Sequence, residues 1–334
     1  SWSTVLILVK NGAFTAEELA TVRQFCAARQ FDLVYLPDMR PEEANRYNVY
    51  PIDPYSTTFR DLLDLPDRQA LYAGREYDVR PPTDDHPFLF HFFTWRQVPA
   101  LLSELGHTCK PFGGSGYLVL LALLAVATAS AAILVLLPVA LGVGRGRRGR
   151  GRVVAYFALL GVGFLGVEIP LLQRFILFLG HPTTAFAAVV ASLLLFSAAG
   201  SLLARRVPLR GALTALVLTI ALTTVGLGPL VDALLGAPLA VRLLATGLSL
   251  APLGLLLGMP FPLGLARLEQ EAPELMPWAW AVNGSASVVA SVVVALGALA
   301  AGFTAVLATA VVAYAAAALL GAGQTRRPLA SDHR

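Results

Sequence analysis

Residues 153–179 read VVAYFALLGVGFLGVEIPLLQRFILFL, an apolar stretch with few polar side chains. A helix needs about 20 predominantly apolar residues to cross the hydrocarbon core of a bilayer, so this stretch predicts a transmembrane helix. Comparable stretches lie at residues 117–142, 183–203, 211–230, 240–265, 277–300 and 303–322, and the last two are separated only by Gly302 and its neighbours. The sequence therefore predicts a mostly α membrane protein with about seven transmembrane helices over residues 116–325.

Composition supports a membrane protein and divides the chain into two parts. Of the 334 residues, 56% are hydrophobic and only 14% are charged, whereas soluble domains have about 25% charged residues. Residues 1–115 carry a net charge of −4, and residues 116–334 carry a net charge of +8. Two cysteines, Cys26 and Cys109, form neither a metal-binding spacing nor a disulfide framework.

Arginine clusters at the ends of the apolar stretches predict the topology. They lie at residues 144–152, 205–210, 267 and 326–327. Seven crossings place all four clusters on one side, which the positive-inside rule assigns to the cytoplasm, together with a tail at residues 326–334. Arginines distributed over helix ends do not form the single basic surface that nucleic-acid binding requires. We therefore expect a multi-pass protein of the bacterial inner membrane, with a cytoplasmic C-terminus and the lipid bilayer as its main partner.

Residues 1–115 predict a partial α/β domain. A strand is predicted at residues 3–10, a helix capped by Thr15 follows, and a second strand is predicted at residues 31–36. A short helix is predicted over residues 56–65, and the aromatic segment 88–105 suits the membrane interface. Because the sequence opens within a predicted strand, we expect it to be the C-terminal portion of a longer protein.

Five polar residues are candidate functional residues. Asp84 and Asp85, in the string TDDHPF at residues 83–88, could bind a cationic amine or act as a general base, or could form a capped turn. Glu168 and Arg174 lie within an apolar stretch, where a charged side chain is costly unless it is paired or faces water, so Glu168 has either a functional role or a structural partner in Arg174 or Asn283. Asn283 lies among small residues, where an amide commonly joins helices.

Seven strings resemble the bacterial membrane-embedded spermidine synthase-like family, in which a methyltransferase-type Rossmann domain is joined to multi-spanning helices. They are LVKNGAFT (8–15), FDLVYLP (31–37), NRYN (45–48), PPTDDHPFLFHFF (81–93), VEIPLLQRFILFLGHP (167–182), GMPFPLG (258–264) and PWAWAVNG (277–284).

The resemblance implies a transferase of aminopropyl or methyl groups that uses S-adenosylmethionine or its decarboxylated form. It implies a Gly-rich cofactor loop after the first Rossmann strand, which these 334 residues do not contain. Of possible catalytic residues, only Asp84 and Asp85 match a position of the family. We therefore expect that this chain alone does not bind the cofactor and is not competent for catalysis.

Two alternatives remain open at this level. Glu168 and the proline-broken segment at residues 258–262 are typical of a polyamine or small-solute transporter. The polar N-terminal part could instead make the chain a scaffold subunit that binds other membrane subunits. A cytoplasmic transferase also conflicts with the arginine pattern, which places residues 1–115 on the opposite side of the membrane.

Overall fold

The computed structural model describes residues 5–75, 77–89, 91–97, 99, 115–142 and 150–322. The chain forms two compact units, Ser1–Arg80 and Pro81–Arg334. The predicted boundaries at residues 115 and 325 adjoin residues outside this description.

The described part of the first unit contains three α-helices, α1 (Ala16–Arg29), α2 (Pro54–Asp64) and α3 (Arg68–Ala73), and a 3-10 helical turn at Pro41–Glu43. Helix α1 begins at a capping box, in which the Thr15 hydroxyl accepts from the Glu18 N–H and the Glu18 carboxylate accepts from the Thr15 N–H. These bonds satisfy two backbone donors that a helix start leaves unpaired. The helices predicted after Thr15 and over residues 56–65 are confirmed.

The two predicted strands are not formed in the described part of this unit. Residues 5–10 have no ladder partner, and residues 31–36 contain one isolated bridge, from Leu33 to Ala44. The apolar pattern predicts that the side chains of a segment are buried. A strand also needs a neighbouring strand for its backbone hydrogen bonds. As a result Leu6 is 79% exposed and Val9 is 90% exposed. The Rossmann-like α/β segment is therefore not shown.

The second unit is built mainly from long helices. Helix α4 (Ser115–Ser130) continues through a π-helical turn (Ala131–Leu136) into α5 (Leu137–Gly142). The others are α6 (Arg150–Leu179), α7 (Pro182–Leu203), α8 (Leu209–Leu234), α9 (Leu239–Leu257), α10 (Pro260–Glu271) and α11 (Met276–Ala322). Among the described residues, six helical spans are long and apolar enough to cross a membrane. The predicted break at residues 258–262 is confirmed, because α9 ends at Leu257 and α10 begins at Pro260.

The longest of these spans folds back on itself at Gly302. This residue has φ 84° and ψ 171°, outside the helical region. Asn283 contacts α6 at Gly161, and Tyr314 contacts α6 at Gly163. In one straight helix, Asn283 and Tyr314 would be about 46 Å apart at 1.5 Å per residue. Helix α11 is therefore a hairpin of two helices, α11a (276–301) and α11b (303–322). The reversal lies at Gly302, where the sequence separates the last two apolar stretches.

Helix α6 forms the centre of the bundle. It packs along both halves of α11 and against α7, while α7 also packs on α9. Val167 and Leu171 on α6 are fully buried, as are Leu213 on α8 and Leu250 on α9. Large apolar side chains on the outside remain exposed, including Leu202 on α7 and Leu222 on α8. Such an apolar exterior is expected of helices that face lipid.

The two ends of this bundle differ in chemistry. Arg152, at the start of α6, binds carbonyls at the end of α11b. Arg174 lies 22 residues further along α6, which is about 33 Å at 1.5 Å per residue. That distance is close to the roughly 30 Å thickness of a bilayer hydrocarbon core. We call the Arg152 end the basic end, and we call the other end, where Arg174 contacts Asp85, the acidic-turn end.

Candidate functional site: a carboxylate turn on a helical hairpin

A tight turn at residues 83–86 presents the predicted carboxylates at the acidic-turn end. The Thr83 N–H donates to the His86 carbonyl at 3.3 Å, and the His86 N–H donates to the Thr83 carbonyl at 2.9 Å and to its hydroxyl at 3.2 Å. Asp residues favour such turns because their side chains tolerate the required backbone conformations. Prolines at positions 81, 82 and 87 keep the flanking chain extended. The turn therefore places Asp84 and Asp85 in different environments.

Asp85 binds the tip of the α11 hairpin. Its Oδ1 accepts from the Thr304 N–H at 2.9 Å, from the Thr304 hydroxyl at 2.6 Å and from Arg174 Nη2 at 2.6 Å. Its backbone carbonyl accepts from the Phe303 N–H at 2.9 Å. Phe303 and Thr304 begin α11b, so Asp85 satisfies donors at a helix N-terminus, where negative charge is also favoured by the helix dipole. Asp85 acts as an N-cap supplied from a distant part of the chain.

Arg174 completes this cluster from α6. Its Nη2 donates both to Asp85 and to the Thr304 hydroxyl, the latter at 2.7 Å. The three side chains therefore bond one another in a closed triad that joins α6, α11b and the turn. We call Asp85, Arg174 and Thr304 the carboxylate latch.

Gly302 makes room for the latch. Its φ of 84° lies in the left-handed region, which side chains other than glycine rarely adopt. A Cβ at this position would lie 2.5 Å from Asp85 Oδ2 and 3.0 Å from the Asp85 carbonyl oxygen. Both the hairpin reversal and the approach of the turn therefore require glycine here.

The pKa of Asp85 is lowered by the latch. Burial would raise the pKa of this carboxyl, but the hydrogen bonds from Thr304 and Arg174 favour the charged form and hold the pKa below its ordinary value. A carboxylate with a lowered pKa and three bonds to one oxygen is a weak proton acceptor near neutral pH. The geometry of Asp85 thus suits anchoring better than acid–base catalysis.

A hydrogen bond and two aromatic contacts attach the turn to the hairpin beside the latch. His86 Nε2 lies 2.7 Å from the Leu299 carbonyl oxygen, and because a carbonyl only accepts, the proton of this bond is assigned to Nε2. The His86 ring makes an edge contact with Phe88, with centroids 5.0 Å apart, and Phe88 makes another with Phe303, at 5.6 Å. The whole segment 83–88 is therefore held on the hairpin tip.

The remaining predicted residues are separated from the latch. Asp84 is exposed and has no side-chain partner among the described residues. Asn283 Nδ2 donates to the Phe157 carbonyl at 3.1 Å and so joins α11a to α6. Glu168 is partly buried on α6, and its carboxylate has no hydrogen-bond or ion-pair partner within the described part of the chain. The structure brings Asp85 and Arg174 together, but it pairs neither Arg174 nor Asn283 with Glu168.

Thr304 was missed by the sequence analysis, although it contributes two of the bonds to Asp85. The available signal was local, because a Gly followed within two residues by Thr between apolar stretches is a typical helix start. Its partner on a turn about 220 residues away could not be read from this pattern. Within the described ranges, no group of three or more His, Cys, Asp or Glu residues could hold a metal ion.

Comparisons with known proteins do not extend this picture. No protein-family model, curated protein or solved structure matches the chain.

Proposed function

We propose that this chain is the membrane-anchoring module of a membrane-bound spermidine synthase-like transferase, and that it does not carry out the transfer by itself. The resemblance of seven strings supports the family. The carboxylate latch is the observation that separates anchoring from transfer. Asp85 is the carboxylate of the family-like motif that has a fixed geometry, and it is bonded to Thr304 and Arg174. S-adenosylmethionine, or its decarboxylated form, would be held elsewhere in the assembled enzyme.

The first unit supports the presence of a protein partner for this module. Residues 5–9 are apolar, and each is at least half exposed, with Val5 lowest at 50%. Exposed apolar surface of this kind is typical of sites that contact another protein or a membrane. We propose that the transferase domain, or another subunit of the same membrane complex, covers it.

The basic end supports an orientation in the bacterial inner membrane. Arg152, Arg205, Arg206 and Arg267 mark the ends of apolar helices, and the positive-inside rule assigns such ends to the cytoplasm. In this orientation the carboxylate latch faces the opposite side of the membrane.

Isothermal titration calorimetry tests the proposal. The purified chain in detergent is titrated with S-adenosylmethionine and, separately, with its decarboxylated form. We expect no binding heat beyond dilution. Micromolar or tighter binding of either compound would show that these residues contain a cofactor site and would refute the anchoring role as stated.

Glu168 favours a second function, transport of a cationic solute such as a polyamine. Arg174 lies six residues from Glu168, so the carboxylate is about 9 Å from the level of the latch along the helix. An acid at membrane depth that is partly buried and has no partner among the described residues is typical of residues on substrate pathways. Proteoliposomes that contain the wild-type chain should then accumulate labelled spermidine, and Glu168→Gln should not. Equal uptake by both would exclude Glu168 from transport.

A further inference from the structure

Two arginines bind the end of α11b at the basic end. Arg152 Nε donates to the Leu320 carbonyl at 2.6 Å, and its Nη2 donates to the Leu319 carbonyl at 3.4 Å. Arg267 Nη1 donates to the Gly321 carbonyl at 2.9 Å. The last carbonyls of a helix lack intrahelical donors and carry partial negative charge, so these contacts are favourable. They also fix both guanidinium groups in place.

Each of these guanidinium groups keeps donors that no described residue accepts. A guanidinium has five N–H donors. Arg152 Nη1 and Arg267 Nη2 have no partner among the residues that the structure describes. Both arginines line a cavity of about 30 Å³, together with Tyr156, Leu209 and Gly321. The Tyr156 hydroxyl already donates to the Pro260 carbonyl at 2.8 Å, so among the described residues the side-chain donors left at this cavity belong to the arginines.

The cavity is positively charged. Of the residues that line it, Arg152 and Arg267 are cationic and Glu271 is anionic, which leaves a net charge of +1. Glu271 accepts from Arg267 Nε at 2.9 Å, so its charge is already engaged. Leu209 contacts Gly321, which brings the exposed Arg205 and Arg206 to the same end of the bundle. An anion is therefore attracted to this region.

We propose that the cavity between Arg152 and Arg267 binds the phosphate of an anionic phospholipid. Basic pockets between transmembrane helices on the cytoplasmic side are suited to anionic headgroups. A cavity of about 30 Å³ admits one phosphate oxygen, and the rest of the headgroup stays at its mouth. A lipid gains further contact from its acyl chains, for which the bundle offers exposed side chains such as Leu319. Free phosphate has no such second contact, so the lipid is the occupant that fits.

Native mass spectrometry of the detergent-solubilised chain tests this site. The chain is titrated with phosphatidylglycerol, with phosphatidylcholine and with inorganic phosphate. We expect one phosphatidylglycerol to bind at least about tenfold more tightly than phosphatidylcholine, and no retained inorganic phosphate, because only the anionic lipid offers both the charge-assisted bonds and the acyl chains. Equal affinity for both lipids would overturn the proposal, and retention of inorganic phosphate would overturn the assignment to a lipid.

Matched variants separate the cavity from general basicity. Arg267→Gln should lose about tenfold or more in affinity for phosphatidylglycerol, and Arg206→Gln, which removes the same charge outside the cavity, should stay close to wild type. If Arg267→Gln does not fold, Arg267→Lys keeps the charge and removes the fixed fork of donors, so its affinity should also fall. Equal losses in the Arg206 and Arg267 variants would show that the lipid is held by overall charge and would refute a defined site.

Discussion

Replacing Asp85 by Asn removes one charge from the carboxylate latch and changes almost nothing in size. The amide oxygen can still accept from the Thr304 N–H, but Arg174 loses the negative charge that its guanidinium contacts at 2.6 Å. The start of α11b also loses the charge that complements the helix dipole. The variant therefore tests the electrostatic part of the latch alone.

The expected loss follows from the number of bonds and their exposure. A hydrogen bond to a charged group contributes about 1.5–3 kcal/mol, and Asp85 receives three. The Asp85 side chain is 39% exposed and that of Arg174 is 16% exposed, so solvent screens part of this energy. Since Asn keeps some of the bonds, we expect a loss of about 2 kcal/mol, which corresponds to a decrease in Tm of about 4–8 °C for a protein of this size class.

Thermal unfolding of the detergent-solubilised chain, followed by tryptophan fluorescence, measures this loss. Asp84→Asn is the matched control, because Asp84 is the neighbouring residue, is exposed and has no side-chain partner among the described residues. Its Tm should stay within about 1–2 °C of wild type, as for most surface substitutions. Equal Tm values for the Asp84 and Asp85 variants would refute the latch.

Three other variants or conditions test neighbouring parts of the account. The pKa of Asp85 is lowered from an ordinary value of 3.8, so the stabilisation by this carboxylate is present above that value and is lost as the pH falls through the folded-state pKa. The Tm difference between wild type and Asp85→Asn should therefore hold from about pH 7 to pH 5 and close below about pH 4. A difference that grows in acid would contradict this. Gly302→Ala should lower the Tm by about 4 °C or more because of its left-handed backbone and the blocked approach of Asp85, whereas Gly284→Ala, with open space around its Cβ, should not lower it. Asn283→Ala should cost about 1 kcal/mol in an unfolding titration because the Phe157 carbonyl loses a donor; no loss would show that this amide does not join the helices.

Much of the bundle could be predicted from the sequence, because hydrocarbon thickness sets a length requirement that each apolar stretch either meets or does not. Gly302 also indicated the hairpin, since a glycine between two long apolar stretches can adopt a positive φ that other residues avoid. The predicted strands at residues 3–10 and 31–36 failed for the opposite reason. An apolar, β-rich pattern describes what a segment needs around it, and no partner strand is present in the described residues to provide it.

The candidate site was predictable only in part. Asp85 and Arg174 were recognised as unusual residues, but their pairing joins positions 89 residues apart and depends on how α6 and α11 pack. Local spacing along α6 could only compare Arg174 with Glu168, six residues away on a different face. The role of Asp85 therefore follows from tertiary structure, and so does the absence of a partner for Glu168 in the described residues.

Accessibility of introduced cysteines from the two sides of the membrane tests the central claim, that a bundle spanning the bilayer carries the carboxylate latch and the arginines at opposite ends. In a background with Cys26 and Cys109 replaced by Ser, single cysteines at Asp84 and at Arg206 are treated with a membrane-impermeant maleimide in inside-out and right-side-out vesicles. The account predicts that Arg206→Cys reacts only in inside-out vesicles and that Asp84→Cys reacts only in right-side-out vesicles. Reaction of both cysteines from the same side would contradict it.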